Sequence, residues 1–401
     1  MAGLYVHVPF CARRCPYCDF DITVGRTPAI DAYLAGLAVE IDERRAELEA
    51  LRATTLYLGG GTPSLLGAHG IAALARRLAP FIDRLEEATV ELNPEDVDDA
   101  LVGALVEHGF DRVSLGVQTF TDTGLVQLGR MHDAARAHAA LARCGAAGLR
   151  TSLDLIVGWP GERDEDLAAD LDAVIAAGVE HVSIYALTIE AGTPWPKLVR
   201  RGLRVLPDDD RQAELLVACE SRLVRAGFEH YEIASYARPN ARARHNVGYW
   251  TWRDYVGLGP SAASAHHGGD GSVVRTNNPR GLRPWIDRAP ASIETLTGEA
   301  AAAEGLWLGL RVLTGLDVDA FLRRFVQVDR AWLERRVARP LARGDLQWDD
   351  DGRRVRVAGG ATACEPDATS GPDRDAAPSQ PVEDPKWLRH DSIAAAVLSS
   401  P

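Results

Sequence analysis

Residues 4–18 read Leu4-Tyr5-Val6-His7-Val8-Pro9-Phe10-Cys11-Ala12-Arg13-Arg14-Cys15-Pro16-Tyr17-Cys18. Residues 4–8 have the composition of a β-strand. Three cysteines then crowd into eight residues with C-x3-C-x2-C spacing, and thiolates so spaced can bend one loop around one metal centre. A structural zinc site closes with four ligands. The nearest fourth candidate is His7, which falls in the strand-like run rather than in a zinc knuckle. An iron–sulfur cluster on three thiolates leaves one iron free to bind something else. The iron–sulfur reading is preferred to zinc.

Outward from this stretch, short β-branched runs alternate with helix-length segments. Strand candidates follow at 55–58, 89–92, 112–115, 151–157 and 181–187, separated by helical stretches at 28–51, 68–78, 97–108, 125–144 and 164–177. Residues 188–207 read as loop, 208–226 as helix and 230–236 as a further strand. Strands spaced by helices make βαβ units and a parallel sheet, either doubly wound or rolled into a complete or partial barrel. Both place ligands at the carboxyl ends of the strands. The unusual residues fall there. The cysteine loop follows the first strand, and Gly59-Gly60-Gly61-Thr62-Pro63 the second. Glu91, Asn93 and Pro94 end the third, Gly116-Val117-Gln118 follows the fourth, and the fifth carries Asp154 and ends at Gly158-Trp159-Pro160-Gly161.

From about residue 280 the pattern changes. Residues 306–313, 318–325 and 332–341 look helical, and 347–348 and 353–357 flank an acidic turn, as in a hairpin. This reads as a small helix-plus-wing domain with a structural or docking role. Five prolines and few large apolar residues make 358–386 an expected disordered linker, and 387–398 resumes as a short amphipathic stretch that docks back. The expected organisation is 1–240 barrel core, 241–280 connecting segment, 281–357 small domain, 358–386 linker and 387–401 terminal helix.

The 401 residues are 46% hydrophobic, with 57 acidic against 44 basic side chains and a net charge of −13. That balance argues against a partner bound through phosphate neutralisation, so no nucleic acid is expected. No apolar run reaches the ~18 residues of a membrane span, and the amino terminus lacks the pattern of a signal peptide. The chain is expected in the cytoplasm, with peripheral membrane contact left open. Cys144 and Cys219 lie in helix-like stretches and read as inert buried thiols, and Cys364 is given no role.

Glycine triplets let backbone approach a ligand closely. Gly60, Gly61 and Thr62 can bond the amino and carboxylate groups of an amino acid chelating the open iron. Glu91, Gln118, Arg130 and Asp154 supply charges and amides for a carboxylate and a ribose. Glu91 and Asp154 sit in apolar strands, where an unpaired charge is costly and a ligand would offset the cost.

The cysteine spacing, Tyr5 six residues before Cys11 and the Gly-Gly-Gly-Thr-Pro run resemble the radical S-adenosylmethionine superfamily. Residues 4–10, Glu91-Leu92-Asn93-Pro94, Ser114-Leu115-Gly116-Val117-Gln118, Leu128-Gly129-Arg130-Met131-His132 and Asp154-Leu155-Ile156-Val157-Gly158 resemble, more narrowly, the oxygen-independent coproporphyrinogen III oxidase-like group. Resemblance covers about 3–350 and is most specific over the first 260 residues. It implies an α/β fold, a partial (β/α)6-type barrel followed by a small helical, winged-helix-like domain.

Two branches divide that group. The dehydrogenases carry another cysteine where this chain has Phe20, and a long segment before the cluster, where here ten residues precede Cys11. The heme-chaperone (HemW) branch is marked by His-Asn-x-x-Tyr-Trp, found here as His245-Asn246-Val247-Gly248-Tyr249-Trp250. All three features point to the chaperone branch.

The resemblance implies that Cys11, Cys15 and Cys18 ligate a [4Fe-4S] cluster, and that Tyr5, Gly60, Gly61, Thr62, Glu91, Gln118, Arg130 and Asp154 contact S-adenosylmethionine. An electron donor would reduce the cluster, and the superfamily's chemistry is cleavage to a 5′-deoxyadenosyl radical. For heme, His245 is the candidate axial ligand, Tyr249 and Trp250 candidate packing residues, and His266 and His267 nearby alternatives. The implied function is heme transfer to respiratory apo-proteins. The alternative is oxidative decarboxylation of coproporphyrinogen III. Asp21 and the tail after Gly352 depart from the family pattern.

Overall fold

The computed structural model describes residues 2–25, 28–359 and 386–399. Six strands, β1 (Gly3–Val8), β2 (Ala53–Gly60), β3 (Ile82–Leu92), β4 (Arg112–Gln118), β5 (Arg150–Val157) and β6 (His181–Ala186), pair in parallel in chain order. On β1, Leu4, Val6 and Val8 are fully buried against the helical layer, while Tyr5 and His7 face the other way, as strand periodicity requires. In a flat sheet β2 and β6 would lie about 19 Å apart. Yet the Tyr57 hydroxyl of β2 feels Asp154 of β5 and Tyr185 of β6. The sheet is therefore curled into an α/β partial barrel, and alternate residues of its strands share one interior.

Helices cover the outside. Asp98, Asp133 and Asp208 cap three of them, each carboxylate accepting from a backbone N–H at 2.8–2.9 Å. The expected helix over 28–51 is two, Ile30–Glu43 and Arg45–Leu51, broken at Arg44. Arg44 bonds Glu40 and Glu47 nearby and Gly257 and Ser264 far away in sequence, so remote groups help to hold the break. The stretch 125–144 is likewise two helices, Asp122–Gln127 and Ala134–Ala146, because Gly129 turns the chain at φ +69°. The expected loop at 188–207 contains the helix Trp195–Arg200, and the strand at 230–236 is a hairpin of Glu229–Glu232 and Ser235–Ala237 extending the sheet beyond β6.

Beyond β1 the sheet continues in a way the sequence did not suggest. Tyr255–Leu258 pairs with β1 in parallel, and Ala263–His267, Val273–Asn277 and Ser292–Leu296 follow antiparallel, giving twelve strands in all. The segment 241–280 thus supplies three strands of the sheet.

A second apolar core gathers Trp252, Leu306, Phe321, Trp332 and Val355 under the helices Gly298–Gly309, Val318–Arg324 and Arg330–Ala342 and a three-stranded sheet. The terminal helix His390–Ser399 buries Ile393 and Val397 in that core. Trp387 reaches the barrel, donating to Glu220 at 2.9 Å and meeting the His230 ring edge-on. The linker expected over 358–386, with Cys364, lies outside the described residues, save for Ala358, Gly359 and Lys386.

Candidate functional site

The carboxyl end of β1 runs into the cysteine loop, whose Phe10–Cys11 pairs with Thr23–Val24. Arg14 donates to the carbonyls of Cys18 and Phe20, and Arg13 ties the loop to the carbonyls of Gly129 and Arg130. Two glycines permit the docking. A Cβ at Gly129 would stand 2.6 Å from Pro16, and one at Gly61 would stand 2.6 Å from the Phe10 carbonyl oxygen. The glycine triplet therefore lets the end of β2 meet the loop, besides whatever ligand it admits. Asp21, which departs from the family pattern, pins the far end of the loop to Ser261 and the Gly281 N–H.

All three thiols are partly exposed. Cys11 Sγ lies 3.3 Å from Thr62 Oγ1, and Arg130 Nη1 approaches Cys15 Sγ at 3.5 Å. Among the described residues, no three His, Cys, Asp or Glu side chains converge as ligands of a single metal ion. Three thiols on one loop suit a cluster in which each holds a separate iron and the fourth iron stays open. His7 is no fourth ligand here, since Nε2 donates to the Asp21 carbonyl and Nδ1 faces the Tyr5 hydroxyl at 3.1 Å. Burial pushes the Cys11 thiol up to about 11, so its thiolate needs a metal to stabilise it.

The other expected residues line the interior above this loop. Tyr57 stacks between Tyr5 and the His245 ring and donates to Glu91 Oε1 at 2.7 Å, and the Gly60 N–H donates to Oε2 at 3.0 Å. Glu91 keeps some exposure to the interior, yet burial outweighs those bonds and pushes its carboxyl up to about 7. Asp154, under the Ser114 hydroxyl at 3.5 Å, is pushed by burial up to about 6. Neither carboxylate has an ion-pair partner among the described residues. Arg130 donates to Asn93 at 2.7 Å and the Gly116 carbonyl at 2.8 Å, but its Nε is buried without a partner. Gln118 follows a register shift in β4 and holds φ +69°, a left-handed conformation that disfavours a side chain.

The His245 motif lies elsewhere, at the amino ends of β1 and β2. A Cβ at Gly3 would come 3.0 Å from the imidazole. Both ring nitrogens are engaged, Nδ1 with Thr55 Oγ1 at 2.9 Å and Nε2 with the Tyr249 hydroxyl at 2.8 Å. As an axial ligand, His245 would have to give up the second bond. Tyr249 and Trp250 line a neighbouring cleft, and Arg311 covers the Trp250 ring at 4.3 Å. His266 is held by Glu47 at 2.8 Å and His267 by Asp254 at 3.0 Å.

Sequence reading passed over Tyr57, Arg13 and Pro16. Tyr57 carries a usable signal, since it shares the strand parity of Thr55 and Gly59. The clamps of Arg13 and Pro16 reach residues more than a hundred positions away and leave no local trace.

Comparison with known proteins places these features in context. The family model of the radical SAM superfamily matches residues 5–174. A heme chaperone HemW of Mycobacterium tuberculosis is 38% identical over 327 residues, covering 78% of this chain and 82% of that protein. The heme chaperone HemW of Escherichia coli is 35% identical over 289 residues, covering 71% and 75%. A solved structure of coproporphyrinogen III oxidase (HemN) from Escherichia coli superposes with a TM-score of 0.77 at 21% identity, covering 99% of this chain and 90% of that one. At that identity the likeness concerns the fold.

Proposed function

The chain belongs to the HemW heme chaperone family of the radical SAM superfamily, and from that membership we propose that it holds a [4Fe-4S] cluster, S-adenosylmethionine and heme, and hands heme to respiratory apo-proteins. Cys11, Cys15 and Cys18 are the cluster ligands in this reading. When bound, the cluster supplies single electrons from a separate donor.

The observation that carries the reading is the meeting, at one barrel mouth, of a three-thiol loop with two enclosed carboxylates that form no ion pair among the described residues. Glu91 and Asp154 are protonated far more readily than ordinary carboxyls, which is the state of an acid awaiting a positive ligand. The ammonium and sulfonium of S-adenosylmethionine would restore their ionised form. Arg130 and Gln118 offer donors for its carboxylate and ribose, Gly60, Gly61 and Thr62 line its approach to the thiols, and Tyr5 closes the interior beside His7. Tyr249 and Trp250 contact heme, with His245 holding the Tyr249 hydroxyl.

Transfer to membrane-bound acceptors would take place from the cytoplasmic side through peripheral contact. Among the described residues no helix is long and apolar enough to cross a membrane. The test is anaerobic cluster reconstitution followed by heme titration, with coproporphyrinogen III turnover assayed beside a genuine dehydrogenase. Saturable uptake near one heme per chain without turnover supports the chaperone reading. Turnover at the dehydrogenase's rate with no heme uptake replaces it by the decarboxylase reading.

A further inference from the structure

A cleft of about 370 Å³ opens between the antiparallel extension of the sheet and the helices Arg244–Trp250 and Gly298–Gly309. That volume is in the range of ligand sites, roughly 300–1,000 Å³. Its walls are Tyr249, Trp250, Tyr255 and Leu308. Its floor is one face of the strand Ala263–His267, where Ala263, Ala265 and His267 alternate with Ser264 and His266. Two alanines on a pleated strand leave a flat, apolar surface suited to a planar ring.

His267 stands at the end of that floor. Its Nδ1 donates to Asp254 Oδ1 at 3.0 Å, and the same oxygen takes the His267 backbone N–H at 3.0 Å. The proton is thereby held on Nδ1, and Nε2, with no partner among the described residues, presents a lone pair. A carboxylate behind one ring nitrogen and a bare second nitrogen is the arrangement of metal-binding histidines. The adjacent histidines lack it. His266 points to the opposite face and is bonded through Nε2 to Glu47, and His245 has both nitrogens occupied. Of the two arginines lining the cleft, Arg275 is neutralised by Glu294 and Glu304, whereas Arg253 has no carboxylate partner among the described residues.

We propose that this cleft is the heme seat, with His267 Nε2 as the axial ligand to iron, Asp254 as the residue positioning that ring, and Arg253 pairing with a propionate. The inference rests on the heme-chaperone reading and deepens it by moving the ligand away from the His245 motif. Tyr5 and His7 belong both to the cleft and to the interior above the cysteine loop, so the seat adjoins the other site.

The test titrates ferric heme into the full chain and records the Soret band and the electron paramagnetic resonance of the bound iron, for wild type, His267→Ala, Asp254→Asn, Arg253→Ala and His245→Ala. His267→Ala is expected to lose the histidine-ligated signature and bind at least about tenfold more weakly, with added imidazole restoring the signature. Asp254→Asn keeps the ring but is expected to weaken binding about tenfold. That variant carries the test if His267→Ala does not fold. Arg253→Ala is expected to weaken binding without altering the ligation signature. A wild-type signature in His267→Ala, or its loss in His245→Ala alone, overturns the assignment. Failure of the wild-type chain to bind heme saturably would instead remove the heme reading beneath it.

Discussion

The two ends of the first strands hold similar side chains in opposite states. At the amino end, Glu87 accepts from the backbone N–H groups of Arg244 and His245 at 3.0 Å each, and from Arg112 at 3.4 Å. His245 is engaged on both sides, and burial drives its ring down to about 3, so it stays neutral. At the carboxyl end, Glu91 and Asp154 form no ion pair among the described residues and Gln118 sits in a strained conformation, whereas a bare guanidinium nitrogen occurs at both ends, on Arg130 Nε and on Arg112 Nη2. Buried ionisable groups alone do not mark a site. Where the protein satisfies them they are framework, and where it leaves them wanting they await a ligand.

The sharpest break would come at the cysteine loop. Cys15→Ala is expected to abolish the reconstituted cluster's absorbance and iron content while changing unfolding free energy by less than about 1 kcal/mol. Loss of the cooperative thermal transition in that variant would show that the loop is framework too. At the other end, Glu87→Ala strands Arg112 and two backbone donors and is expected to lose about 3–5 kcal/mol in urea denaturation. A cost below about 1 kcal/mol would erase the contrast between the ends.

The pH response separates them by sign. Glu91 and Asp154 bind protons more tightly folded than unfolded, so their contribution is present at low pH. It is lost as pH rises from about 4.5 and 3.8, the unfolded values, through about 7 and about 6. His245 runs the other way, its contribution fading as pH falls from 6.5 towards about 3. Thermal scans of Glu91→Gln/Asp154→Asn without ligand should therefore lack the alkaline-side decline between those values, and S-adenosylmethionine should bind at least about tenfold more weakly. An unchanged profile would mean that the carboxyls are not held protonated. Least affected should be Phe20→Ala, since that ring is 60% exposed, with a stability change within about 0.5 kcal/mol.

Much of the barrel was legible because it is written locally. β1 and its cysteine loop occupy sixteen consecutive residues, Gly3 to Cys18, and each of β1 to β5 ends in a loop of unusual composition. Less legible were the break at Arg44, held by Gly257 and Ser264, and the start of the sheet extension at 255–267, whose short strands contain Gly, Ala and His rather than long β-branched runs. The His245 motif drew attention by its residue types, although both ring nitrogens prove occupied by Thr55 and Tyr249.

What the sequence by itself determined is the three-thiol loop, the family and the order of strand ends carrying polar groups, because ligand spacing and βαβ periodicity are properties of neighbours along the chain. Only the tertiary structure decided which carboxylates go without an ion pair among the described residues, why Gly61 and Gly129 must be bare, and which histidine keeps a nitrogen with no partner among them. Those facts depend on hydrogen-bond partners and contacts brought from segments distant in sequence, and a side chain's availability is whatever those neighbours leave unsatisfied.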